Sequence, residues 1–265
     1  MLTRAQDPQG LSIFTDIILC VDRSGSMTTF SNAVREGVAE LLKTHAQTAN
    51  SASVKYNIRV VSFDDRSTVL YTGSASELLD STDQLDTLKL SVISKGLAPR
   101  GTTRLYDTAI DEIQDQSRRC KAYMTGLSSE VIRLGVSMSV VFILLTDGAD
   151  NMSIRSPQAL REAMEAHRAE HRVSAQFIAA NQDAVATGTQ FGFPAETCLQ
   201  MDADPHHGRA AMASATASAL RAVSGLPGAF LDTERTASSE IPSYDVSPWV
   251  IDYSTGSLDI EPTRN

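Results

Sequence analysis

Two stretches of this chain are apolar without interruption, and each stops at an aspartate. Residues 17–21 read Ile-Ile-Leu-Cys-Val and run into Asp22; residues 140–145 read Val-Val-Phe-Ile-Leu-Leu and run through Thr146 into Asp147. A strand with one wet face alternates apolar and polar side chains, so an unbroken, β-branched run is a strand covered on both faces. Two such strands ask for a parallel sheet with helices on either side. The second run is the longest in the chain and falls far short of the roughly 20 residues that a membrane-spanning helix needs.

The remaining periodicities supply the helices. Ala33, Val34, Gly37, Val38, Leu41 and Leu42 recur at helical spacing and predict a helix over about residues 29–46. Residues 56–63 and 68–71 are strand-like and lie so close in sequence that they are expected to pair antiparallel. Residues 74–97 are expected to be helical in part. Leu105, Ala109, Ile113, Cys120, Met124 and Leu127 predict a long helix with a break at Gly126. Beyond it come a strand (137–146), a helix with Pro157 in its first turn (157–171), a strand (173–180), a short helix (183–191), a last strand (197–201) and an alanine-rich helix (209–223).

This alternation predicts an α/β fold: a doubly wound, mostly parallel central sheet of about six strands with one antiparallel edge strand and helices on both faces. The chain then divides into an N-terminal extension (1–12), one domain (13–225) and a tail (226–265). The tail holds four prolines, seven acidic and two basic residues and the only tryptophan, Trp249. Residues 249–260 read as a small hairpin, with Trp249 expected to pack on its own domain.

Composition narrows the function classes. With 265 residues, 42% of them hydrophobic, the chain suits one large domain or one domain with an appendage, and wholesale disorder is excluded. Its 23 basic and 32 acidic residues give a net charge of −9, the wrong field for coating a nucleic-acid backbone. Cys20, Cys120 and Cys198 are far apart and form no Cys-x-x-Cys, which argues against a disulfide framework or structural zinc and for a reducing compartment. Residues 1–10 lack the apolar segment of a secretory leader. The expectation is a cytoplasmic protein with no membrane insertion.

Ligands of an open α/β sheet bind beyond the carboxyl ends of its central strands. Three polar clusters fall there: Asp22-Arg23-Ser24-Gly25-Ser26 after the first strand, Gly101-Thr102-Thr103 before the long helix, and Thr146-Asp147-Gly148 after the strongest strand. Within them, Asp22 and Asp147 offer two carboxylates and Ser24, Ser26 and Thr103 three hydroxyls, an all-oxygen set that suits Mg²⁺, Mn²⁺ or Ca²⁺ rather than zinc. Taken alone, Asp22, Ser24 and Ser26 also suit a helix-capping loop.

Together, residues 17–27 (Ile-Ile-Leu-Cys-Val-Asp-Arg-Ser-Gly-Ser-Met), 101–107 (Gly-Thr-Thr-Arg-Leu-Tyr-Asp) and 142–151 (Phe-Ile-Leu-Leu-Thr-Asp-Gly-Ala-Asp-Asn) resemble the metal-ion-dependent adhesion site (MIDAS) of von Willebrand factor A domains. The resemblance covers about residues 13–225, and residues 177–184 are similar to stand-alone intracellular, bacterial-type A domains. It implies a Rossmann-like fold and a site in which Asp22, Ser24, Ser26, Thr103 and Asp147 hold Mg²⁺, or Mn²⁺ or Ca²⁺ in its place. It further implies direct ligation by both serines, direct or water-mediated ligation by the other three, and a sixth position for an Asp or Glu carboxylate of a protein partner. Arg23, Arg104 and Asp150 would flank the metal on the partner's side. Arg104 stands where the family often has a small residue or proline, and the two arginines would either attract an acidic partner or compete with the cation.

Bland roles are expected elsewhere. Asp107 should bond loop amides, Asp64 and Asp65 should be solvated, and His206-His207 should form an exposed turn. Enzyme readings lack their motifs: there is no Asp-x-Asp after the first strand, no Gly-x-Ser-x-Gly elbow, no phosphate loop and no dinucleotide fingerprint. The expected function is therefore a divalent-cation-dependent protein-binding module and not an enzyme. The alternatives are a structural or assembly subunit with a silent metal site that self-associates through its tail and, behind it, a metal-dependent phosphohydrolase.

Overall fold

In the computed structural model, which describes residues 12–51, 55–129 and 137–240, the two apolar runs are the middle strands of a six-stranded sheet. Strand β1 (Ser12–Asp22) pairs in parallel with β2 (Lys55–Phe63) on one side and with β4 (Ser137–Thr146) on the other. Strand β3 (Ser67–Ser74) returns antiparallel along β2, while β5 (Val173–Ala180) and β6 (Cys198–Met201) extend the other side in parallel. The order β3-β2-β1-β4-β5-β6 is the mostly parallel sheet with one antiparallel edge that the sequence predicts.

Side chains alternate across a strand, so each central strand feeds two cores. Ile17, Leu19 and Val21 of β1 join Val141, Ile143 and Leu145 of β4 beneath helices α1 (Ser31–Ser51), α2 (Thr87–Gly96) and α6 (Pro205–Val223). Ile18 and Cys20 join Phe142 and Leu144 beneath α3 (Leu105–Thr125), α4 (Pro157–Glu170) and α5 (Ala184–Gln190). Each fully buried aliphatic or aromatic side chain here contributes about 1.5–3 kcal/mol. Helices α1 and α6 approach closely at Gly37, where an added Cβ would fall 2.3 Å from the Cβ of Met212.

Helix ends follow their caps and stripes more than their periodic middles. Helix α1 runs to residue 51 because Ala46 and Ala49 prolong its buried face. Helix α2 starts where the Asp86 carboxylate accepts from the amides of Leu88 and Lys89. Helix α6 begins at Pro205 because Asp204 accepts from the amides of His206 (2.8 Å) and His207 (3.1 Å). The histidine pair is thus the first turn of a helix rather than a free turn, and the Asp204 carboxylate bonded to the His207 ring raises that imidazole's pKa.

Helix α7 (Asp232–Ser238) packs on α6 and β6, and its buried Arg235 donates to the carbonyls of Cys198 (2.7 Å) and Glu196 (2.9 Å). The expected hairpin at residues 249–260, with Trp249, lies outside the described residues. Among the described residues, no helix is long and apolar enough to cross a membrane.

Candidate metal centre

The sheet order reverses between β1 and β4. From β1 the chain crosses to β2 on one side; from β4 it crosses to β5 on the other. The loops leaving these two strands therefore diverge and open a crevice at their carboxyl ends. Register fills it. Val21 pairs with Leu145, so Asp22 stands level with Thr146, and Asp147 lies one residue beyond.

Four of the expected residues meet in direct hydrogen bonds. The Ser26 hydroxyl donates to Asp147 Oδ1 at 2.7 Å and the Ser24 hydroxyl donates to the same oxygen at 3.4 Å, with the two serine oxygens 3.0 Å apart. Asp22 is held from both ends: its Oδ1 accepts from the Ser24 amide (2.7 Å), and its Oδ2 accepts from the Thr146 hydroxyl (2.7 Å). Asp22, Ser24 and Asp147 are buried, while Ser26 faces outward.

The third loop brings Thr103 alongside through its backbone. Gly101 O accepts from the Gly25 amide (3.3 Å), and the Arg100 amide donates to Arg23 O (2.7 Å). On the other flank the Thr103 amide donates to Asn151 Oδ1 (2.9 Å), and Thr103 O accepts from the amides of Asn151 (3.0 Å) and Met152 (3.2 Å). Gly101 makes this path possible: its φ is +70°, and a Cβ there would lie 3.3 Å from the Cβ of Asp64.

The charged residues expected to flank the site are placed differently from one another. Arg23 is buried and turned inward, with Nε 3.0 Å from Asp64 Oδ2 and hydrogen bonds to Gly96 O (2.8 Å) and the Thr68 hydroxyl (3.2 Å). Arg104 is half-buried and leans on Asp107, its Nε donating to Oδ2 at 2.9 Å. Asp150 spends both oxygens on structure: Oδ2 accepts from the amides of Leu105 (2.7 Å) and Tyr106 (3.1 Å), and Oδ1 from the Ser153 amide (2.9 Å). It caps α3, whose own N-cap residue Arg104 gives no side-chain cap.

Asp107 bonds loop amides, as its sequence position suggests. Burial alone would raise its carboxyl, but the amides of Ile154 and Arg155 and the guanidinium groups of Arg155 and Arg104 hold it well below the usual carboxylate range. Asp64 departs from expectation. It is fully buried instead of solvated, because Arg23 and Arg100 both close on its Oδ2, the latter at 2.6 Å.

Sequence reading missed three positioning groups. Thr146 stood in the third cluster, yet its task of holding Asp22 emerges only from the β1–β4 register. Asn151 fixes Thr103, and Asn181, with φ +57°, donates from its side chain to Asp147 O at 3.4 Å. The available signal was a polar residue at or just past a strand end for Thr146 and Asn181; Asn151, five residues beyond β4, had none.

The arrangement fits a hard divalent cation. Among the described residues, no three His, Cys, Asp or Glu side chains converge as a metal-binding group, so hydroxyls would share the ligation with two carboxylates. Asp147 Oδ2 is buried and has no hydrogen-bond partner. Burial pushes the Asp22 carboxyl up to about 6 against the hydrogen bonds from Thr146 and Ser24, with the nearby Asp147 charge adding to the rise. Burial likewise raises Asp147. Two adjacent buried carboxylates with an orphaned oxygen lack a counter-charge, a costly state that a bound cation would relieve.

No protein-family model and no curated protein sequence matches the chain. Solved structures do. The pilus adhesin SpaC from Lactobacillus rhamnosus GG aligns over 81% of this chain and 31% of its own at 14% identity and a TM-score of 0.52. Proximal thread matrix protein 1 from the mussel byssus aligns over 82% and 47% at 19% identity and a TM-score of 0.48, and one of its structures carries a zinc-occupied MIDAS motif. A von Willebrand factor type A protein from Catenulispora acidiphila aligns over 79% and 43% at 16% identity and a TM-score of 0.45. The chain spans less than half the length of each of these structures. By its strand order, its switch-point crevice and the SpaC alignment, the chain shares the fold of that adhesin, the doubly wound α/β sheet that its resemblance to von Willebrand factor type A domains implies.

Proposed function

We propose that this chain is a divalent-cation-dependent protein-binding module. Asp22, Ser24, Ser26, Thr103 and Asp147 hold the cation, with Mg²⁺ as the natural occupant and Mn²⁺ or Ca²⁺ as substitutes. The observation that carries this reading is Asp147 Oδ2, a carboxylate oxygen buried without a hydrogen-bond partner beside Asp22 and two serine hydroxyls. The cation, when bound, supplies positive charge and an affinity for anionic oxygen. Neutral hydroxyls make up most of its protein ligands, so an Asp or Glu carboxylate from a protein partner is the ligand that best completes the set.

The histidines of the described residues give no support to a histidine-assisted catalytic role at this site. His45 bonds Tyr56, His167 bonds Gln116, His171 bonds Ser117 and His207 bonds Asp204, and none of these bonds joins a histidine to the site. The three cysteines are buried and free, which favours a reducing, intracellular setting for the module.

Isothermal titration of wild type, Asp22→Ala and Ser24→Ala with Mg²⁺, Mn²⁺ and Ca²⁺ tests the reading. Wild type should take up one ion and both variants none, with their folds intact by circular dichroism. A wild-type protein that takes up none of the three ions overturns it, leaving the site silent.

A further inference from the structure

Directly beside the cation site, the loop after β4 turns two apolar side chains outward. Ile154 is 91% exposed and Met152 is 47% exposed. A single exposed apolar residue needs no explanation. Here, however, the exposure is built in. Four consecutive amides are tied down: Met152 N donates to Thr103 O (3.2 Å), Ser153 N to Asp150 Oδ1 (2.9 Å), Ile154 N to Asp107 Oδ2 (3.0 Å) and Arg155 N to Asp107 Oδ1 (3.0 Å). The acceptor Asp107 is itself buried and clamped by Arg104 and Arg155. The backbone of the loop is thus fastened to the start of α3, which holds these two positions at the surface.

The patch is also continuous with the site. Thr103, placed above among the cation's ligands, accepts the Met152 amide on its own carbonyl, so the apolar surface begins at the edge of the crevice. Met152 adjoins Thr103 through that hydrogen bond, and Ile154 stands two residues further on, at most about 7 Å along the chain. The adjoining arginines, Arg104 and Arg155, are already neutralised by Asp107, and Arg155 also by Asp111, which leaves apolar contact as the chemistry on offer at this edge.

We propose that the protein partner carries an apolar side chain next to its coordinating Asp or Glu, and that this side chain packs on Met152 and Ile154. Recognition then reads an acidic–apolar pair rather than a carboxylate alone. The inference rests on the cation-dependent reading given above and names the partner's chemistry.

The test uses the full chain with methyl-¹³C methionine and isoleucine in excess Mg²⁺. It is titrated with the capped peptides acetyl-Gly-Asp-Gly-amide, acetyl-Leu-Asp-Gly-amide and acetyl-Gly-Asp-Leu-amide. One leucine peptide should bind roughly ten-fold more tightly than the glycine peptide and shift the methyl signals of Met152 and Ile154. In the double variant Met152→Ser, Ile154→Ser that advantage should vanish while the glycine peptide binds as before. Equal binding of all three peptides, Mg²⁺-dependent in each case, would overturn the pairing and leave the cation reading standing. Binding that is absent, or unchanged by EDTA, would overturn the cation reading and the pairing with it.

Discussion

At the scale of single residues, the candidate site depends on groups that hold the proposed ligands as much as on those ligands. Thr146 is the hydroxyl donor to Asp22 Oδ2, and Thr146→Val would strand a buried carboxylate oxygen. Urea unfolding in EDTA should show a loss of about 1–3 kcal/mol. Gly101→Ala would put a β-carbon on a residue at φ +70°, 3.3 Å from Asp64 Cβ. A cost of about 1–2 kcal/mol is expected, read as a lower urea midpoint with an unchanged m-value. Of the proposed ligands, Asp22, Ser24, Ser26 and Asp147 were legible in sequence because they follow two unmistakable strands, whereas Thr103, in the loop before α3, was legible only as part of the three-loop motif. The burial of Asp64 was not. Arg23 and Arg100, which make it affordable, are remote in the chain, and no local pattern marks a carboxylate that two distant guanidinium groups will close over.

Among the elements, α3 carries the site's third loop, and its start is secured from outside. Asp150 supplies the cap that Arg104 does not, and the same carboxylate organises the turn at Ser153. Asp150→Ala should cost about 1–2 kcal/mol, as the loss of a helix cap does, and should speed amide exchange at Leu105 and Tyr106 relative to the middle of α3. Unchanged exchange at those two amides would contradict the capping role. Sequence reading placed Asp150 on the partner's side of the metal because adjacency to Asp147 was all it could see; the contact with α3 is tertiary. The strands were read more securely than the helix ends. Strand residues 140–145 are apolar on both faces, whereas the start of α6 depends on Asp204 and Pro205, which lie ahead of its alanine-rich stretch.

At the scale of the whole molecule, two buried histidines tie stability to pH. His45 is fully buried, and burial lowers its imidazole to about 4; His167 falls to about 4 through burial and the neighbouring His171. The unfolded chain takes up these protons near the ordinary value of about 6.5, so it binds more protons than the folded chain between the two values. Their contribution, on the order of 3 kcal/mol each, is present above about pH 6.5 and is lost as pH falls towards 4. Urea midpoints from pH 7.5 to 5 should therefore fall more steeply for wild type than for His167→Gln. Asp22, whose raised carboxyl acts in the opposite direction over part of this range, is common to both proteins, so their difference isolates the histidine. A steeper fall in the variant would contradict the assignment. The central claim, that the β1–β4 crevice holds a cation, is tested most directly by thermal unfolding in EDTA and in excess Mg²⁺, for wild type and Asp147→Asn. Metal at about 100 times its Kd should stabilise wild type by about 2.7 kcal/mol. The variant, relieved of a buried unpartnered charge, should be at least as stable as wild type in EDTA and gain nothing from Mg²⁺. A wild type indifferent to Mg²⁺, Mn²⁺ and Ca²⁺, or a variant that gains as much as wild type, would contradict the account.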